Sequence, residues 1–208
     1  FSTASDGVFD SDFSFGGGPG VSLGSQTQTL ASGVERTISF TDNKSGPSGF
    51  GNTGILDDPA AGNRWVFNND TTGTTATLAY AFGTGIDLSS ESAFRFGTVN
   101  NAEAGWDFSL EAAVEDLVGG SSSTTLSFDV DDEGSALTAS FSEFTGIDFT
   151  QISGLTLALS GSGTGAAPDA SISGSIAAVP VPATLPLSLA ALGILGLYAR
   201  RQRGTARA

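Results

Sequence analysis

Residues 124–144 read TTLSFDVDDEGSALTASFSEF, and this stretch decides the class of fold. Leu126, Phe128 and Val130 alternate with Ser127, Asp129 and Asp131. That period of two places successive side chains on opposite faces of a strand. Asp132-Glu133-Gly134 supplies turn residues, after which Leu137, Ala139, Phe141 and Glu143 trace a returning face. The spacing predicts a β-hairpin over 124–144.

The same pattern extends outward in both directions. In VERTISFT (34–41), Val34, Arg36, Ile38 and Phe40 share a face, with Arg36 at its end. Further strands are expected at 64–67, 74–82, 93–99, 106–114, 152–159 and 170–176, each with apolar residues at alternate positions. Residues 111–117 are the one stretch before 179 that also reads as a short helix. Glycine and proline punctuate 16–20 and 42–63, and the latter is expected to be a long loop. TGIDLS (84–89) and TGIDFT (145–150) are near-copies, each following an aromatic-rich run, and read as equivalent connections in one symmetric unit. About ten short strands with close-set turns predict an all-β fold, an antiparallel β-sandwich of jelly-roll type.

Composition restricts the chemistry. The chain has 208 residues, 29 of them glycine, and no His, Cys or Met. Without cysteine there is no disulfide framework, and without His or Cys there are no thiol nucleophiles, no usual zinc ligands and no Ser-His-Asp triad. All 22 acidic residues precede Val179 and face only Arg36, Lys44, Arg64 and Arg95, so residues 1–178 carry a net charge of −18. Such a surface repels phosphate backbones and excludes nucleic acid as a partner. Glycoside hydrolysis needs only two carboxylates. Its glutamate candidates are Glu35, Glu91, Glu103, Glu111, Glu115 and Glu143, with solvated strand positions as the competing reading. The expectation is a chain without enzymatic activity.

Residues 179–208 differ from everything before them. They read VPVPATLPLSLAALGILGLYARRQRGTARA, uncharged from Val179 to Ala199 and then basic at Arg200, Arg201, Arg203 and Arg207. That uncharged length suffices to cross a hydrocarbon core of about 30 Å, and the arginines favour the cytoplasmic side. The segment resembles the PEP-CTERM class of bacterial sorting signals, in its VPLPA variant. Val179, Pro180, Pro182 and Ala183 match the motif, with Val181 where leucine is usual. Leu185 to Tyr198 match the apolar helix, and Arg200, Arg201 and Arg203 match the basic cluster. The resemblance covers about the last thirty residues. It implies an exosortase as processing partner, a precursor tethered to the inner membrane by one transmembrane helix, and a mature protein at the cell surface, in the extracellular matrix or in a biofilm. A plain membrane anchor is the alternative reading of the same residues. The expected organisation is an exported acidic sandwich at 1–178 and a sorting segment at 179–208, joined by a short stalk at about 177–183. Export calls for a leader that the sequence does not show, so Phe1 is expected to begin a mature form or a fragment.

Two ligand readings remain for the exported part. Trp65 and Trp106 are candidates for stacking on sugar rings of an exopolysaccharide, against the commoner role of tryptophan in cores. Asp129, Asp131 and Glu133 place oxygens at alternate positions before Gly134, as a calcium loop begins. An acidic turn with outward carboxylates explains the same residues.

Overall fold

The computed structural model describes residues 14–15, 22–30, 32–42, 51–56, 64–69, 74–100, 102–163, 169–173 and 176–180. Thirteen strands run through them: β1 (Ser14–Phe15), β2 (Ser22–Thr29), β3 (Glu35–Asp42), β4 (Gly51–Leu56), β5 (Arg64–Asn69), β6 (Thr74–Ile86) and β7 (Glu91–Asn100). Then come β8 (Trp106–Asp116), β9 (Ser121–Phe128), β10 (Ala136–Ser140), β11 (Ile152–Gly163), β12 (Asp169–Ser173) and β13 (Ala177–Pro180). One antiparallel sheet has the order β1-β4-β5-β12-β7-β10, with β13 also on β7, and the second has β2-β3-β6-β11-β8-β9. From β6 to β12 the chain passes repeatedly from one sheet to the other, which makes the sandwich jelly-roll-like.

Alternation decides which residues go inside. Along β8 every second residue from Trp106 to Asp116 is buried, and Leu155, Leu157 and Leu159 do the same on β11, past a register shift after the buried Ile152. Phe40, Phe67, Phe108 and Phe128 form an aromatic run between the sheets, with centroid distances of 6.2, 6.4 and 5.4 Å. The strand expected at 106–114 runs on to Asp116, and the alternative of a short helix at 111–117 is not formed, because the buried positions recur every two residues. Arg36 is 1% exposed and donates from Nη2 to Gln28 Oε1 at 2.9 Å. Burial pushes the Tyr80 hydroxyl well above the usual phenol range, while Arg36 beside it pulls the other way.

The expected hairpin at 124–144 does not form. β9 lies in the second sheet beside β8, whereas β10 lies in the first sheet beside β7. Between them Val130–Asp132 is one 3-10 turn. It is capped by Asp129 Oδ1 accepting from Asp131 N at 2.8 Å, and by Asp132 Oδ2 accepting from Asp129 N at 3.2 Å. The turn carries the chain across the core, and Val130 is left exposed. Phe141 to Glu143 form a second such turn instead of continuing the strand. Leu137 and Ala139 are buried as expected, since a strand in either sheet turns its apolar face to the same core. β9 instead makes its hairpin with β8, around residues 116–121.

The expected loop at 42–63 contains β4, which its glycines hid by removing any visible alternation; β5 supplies the pairing that holds it. The two near-copies meet at one end of the sandwich, where Leu88 N donates to Phe149 O at 2.7 Å. Both cross between the sheets there, as the repeat implied. The boundary expected between 178 and 179 falls inside β13, which pairs Val179 with Ala93 and Pro180 with Glu91. Ser92 Oγ donates to Val179 O at 3.1 Å. Residues 177–180 are thus sheet, not stalk. Val181, Pro182, Ala183, the apolar segment and Arg200, Arg201 and Arg203 lie outside the described residues. Among the described residues no helix is long and apolar enough to cross a membrane.

Candidate functional site

On the outer face of the second sheet, β8, β9 and β11 present short polar side chains. Register places Asp107 opposite Ser162, and Ser109 opposite both Ser160 and Ser127. Because Trp106, Phe108 and Phe128 turn inward, Asp107, Ser109, Ser127 and Asp129 must turn outward. These residues, with Asp132, Ser162, Phe108 and Phe128, line a pocket of about 370 Å3. Ser109 Oγ lies 3.2 Å from Ser160 Oγ on the neighbouring strand. The lining offers three hydroxyls that both donate and accept, and three carboxylates.

The pocket sits at the end of the sandwich where β7 passes to β8. The opposite end carries the near-copies, the β8–β9 tip and the exit of the chain at Pro180. The nine steps of β8 from Asp107 to Asp116 separate the two by roughly 30 Å, at about 3.3 Å per residue. At that exit end Asp116 acts as a clasp. Its Oδ1 accepts from Val118 N at 3.0 Å and Gly120 N at 2.7 Å, and its Oδ2 accepts from Asp148 N at 2.9 Å. The bond from Asp148 N is the main reason its carboxyl is held below the usual range. Hydrogen bonds from the Thr150 side chain and backbone lower Asp148, and those from Ser89 lower Asp87.

Both tryptophans are core residues, which removes them as sugar platforms. Trp65 is 0% exposed and Trp106 is 3% exposed. Trp65 Nε1 donates to Thr53 Oγ1 at 2.8 Å, and Thr53 Oγ1 donates on to Val66 O at 2.9 Å. Each stands in the inward phase of its strand, where no ring face meets solvent. The calcium arrangement is not formed either. Asp129 caps the 3-10 turn, and Glu133 Oε1 accepts from Ala102 N at 3.2 Å. Among the described residues no three acidic side chains converge as a cation would require. The glutamate candidates do not line the pocket. Glu35 and Glu115 share a row but stand three strand spacings apart, roughly 14 Å. Glu143 accepts from Thr124 Oγ1 and Ser140 N.

The lining residues Asp107, Ser109, Ser127, Asp132 and Ser162 were not singled out from the sequence. For Asp107, Ser109 and Ser127 the phase of β8 and β9 was the signal, because fixing the tryptophan and phenylalanines as inward fixes these as outward; Asp132, in the 3-10 turn, and Ser162, on β11, are brought beside them only by the fold.

No protein-family model matches the chain, and no curated protein matches it. Among solved structures it is similar to the family 11 carbohydrate-binding module of the cellulosomal cellulase Lic26A-Cel5E of Clostridium thermocellum. The two share 15% identity over 85% of this chain and 91% of that one, at a TM-score of 0.42. It is also similar to the family 11 xylanase from Neocallimastix patriciarum, at 9% identity, 82% and 100% coverage and a TM-score of 0.41. A third likeness is to TmCBM61 in complex with β-1,4-galactotriose, at 12% identity, 76% and 88% coverage and a TM-score of 0.31.

Proposed function

We propose that this chain is an exported, non-catalytic β-sandwich that binds a polysaccharide at the cell surface or in the extracellular matrix. The observation that supports it is the outer-face pocket. Its volume falls in the range of small-ligand sites, about 300–1,000 Å3, yet its side chains are hydroxyls and carboxylates where most such sites are apolar. A ligand that fits must therefore be hydrophilic and must both donate and accept hydrogen bonds at close spacing, which describes a run of sugar hydroxyls. Recognition here would run through hydrogen bonds, since the tryptophans are buried. Two of the three pocket carboxylates, Asp129 and Asp132, also hold a backbone turn, which suits a binding wall better than an acid–base pair that exchanges protons.

Segment 179–208 belongs to this proposal as the means of delivery, an exosortase acting at the VPVPA motif. The pocket lies at the far end from Pro180, so a chain held by its C-terminal side would present the site outward. Two experiments test the two halves. Affinity electrophoresis through gels containing different polysaccharides should retard the wild-type protein, and Ser127→Ala with Asp107→Ala should abolish the retardation without loss of folding. Unaltered mobility in every polymer would reject the binding half. Intact mass of the protein from the culture surface and medium should lack about the last twenty-five residues, while Pro180→Ala with Pro182→Ala stays in the membrane. A full-length protein retained in the membrane would reduce the segment to an anchor.

A further inference from the structure

We infer that the pocket takes a glycan free of carboxylate, sulfate and phosphate groups, and that charge makes the chain reject acidic polysaccharides. This rests on the carbohydrate-binding reading above and adds the chemical class of the ligand. Among the described residues the charged side chains that line the pocket are Asp107, Asp129 and Asp132. The described cations lie elsewhere: Arg36 is buried between the sheets, and Arg64 and Arg95 are on strands of the other sheet. Glu111 and Glu115 continue the same sign along the outward phase of β8, and residues 1–178 carry −18 in all.

A uronate or sulfate entering this pocket would lose water and gain no cation in return, facing like charge at each step. A neutral hydroxyl meets the opposite situation, because a hydrogen bond donated to a carboxylate is charge-assisted. The serines serve either ligand equally, so the aspartates set the discrimination.

The full chain is assayed by affinity electrophoresis in the presence of chelator, so that no divalent cation bridges like charges. The polymers are neutral glucan, galactan, mannan and xylan, beside polyuronate and sulfated galactan of similar length. At low salt at least one neutral polymer should retard the protein, and every acidic polymer should bind at least about tenfold more weakly, the ratio set by one unfavourable charge pair. The gap should narrow at 1 M salt, where the screening length falls to about 3 Å from about 10 Å at 0.1 M. Asp107→Asn should narrow it at low salt as well. An acidic polymer that binds as tightly as any neutral one at low salt overturns the inference and leaves carbohydrate binding standing. A ratio unmoved by both salt and Asp107→Asn also overturns it. Failure of every polymer to retard the folded protein removes the carbohydrate-binding reading itself.

Discussion

Trp65→Phe separates a core role from a binding role. Trp65 is fully buried, its indole N–H donates to Thr53 Oγ1 at 2.8 Å, and that hydroxyl donates onward to Val66 O. The substitution removes one buried hydrogen bond, about 1 kcal/mol net, and replaces two fused rings by one, which leaves a cavity worth about 1–2 kcal/mol more. Thr53 keeps its acceptor, so no donor is stranded. The expected loss is about 2–3 kcal/mol. With a urea slope of about 1–3 kcal/mol per molar, a loss of 2 kcal/mol lowers the unfolding midpoint by roughly 0.7–2 M. Thr53→Val, which leaves the indole N–H buried without its acceptor, should cost about 1–3 kcal/mol by the same assay. Neither variant should change retardation by polysaccharide at low denaturant. A Trp65→Phe protein with an unchanged midpoint and lost retardation would refute the reasoning, because it would place the indole against ligand.

Three other outcomes follow from particular contacts. Gly97→Ala should weaken the docking of β12 by several kcal/mol: Gly97 has φ +120°, and a Cβ there would stand 2.5 Å from Ser173 O, a backbone atom that cannot swing aside. Hydrogen exchange at β12 amides would show it first, and a rise no larger than that of a surface alanine substitution would count against the packing. The carboxyls of Asp87, Asp116 and Asp148 are lowered in the folded state, so they stabilise it above the ordinary carboxyl range and lose that effect as pH falls through their depressed values. Melting temperature should therefore drop on acidification below about pH 4, and Asp116→Asn should flatten that limb; an equally steep limb in Asp116→Asn would remove Asp116 from the explanation. Ending the chain after Ile176 should lower the melting temperature relative to ending it after Pro180, since only the latter keeps β13 on β7. Equal melting temperatures would mean that β13 adds nothing to the fold.

Much of the strand content was legible because alternation is a local signal. Phe94 and Phe96, Trp106, Phe108 and Leu110, and Leu155, Leu157 and Leu159 each announce a buried face within a few residues. Strand partners were not legible. Residues 124–144 satisfy a hairpin and a crossover equally well, because Leu126, Phe128, Leu137 and Ala139 reach the same core either way. The candidate site was less legible still. By residue type Trp65 and Trp106 suit sugar platforms and Asp129, Asp131 and Glu133 suit metal ligands, yet the tryptophans face inward and two of the acids hold backbone amides. Their chemical type was right for those roles, but their position in the strand or turn was wrong.

What the sequence determined by itself is what depends on composition and on neighbours along the chain. That includes an all-β fold for the part before 179, no thiol or imidazole chemistry, a net −18 over residues 1–178, and a C-terminal segment unlike the rest. Tertiary structure alone decided the pairing of β9 with β8 and of β10 with β7, the inclusion of Val179 and Pro180 in a sheet, and the meeting of Asp107, Asp129 and Ser162 around one pocket. The physical reason is that a strand's own residues fix only which of its faces is buried. Its neighbours are fixed by hydrogen bonds to backbone far away in sequence, and those bonds are the same whatever side chains the partner carries.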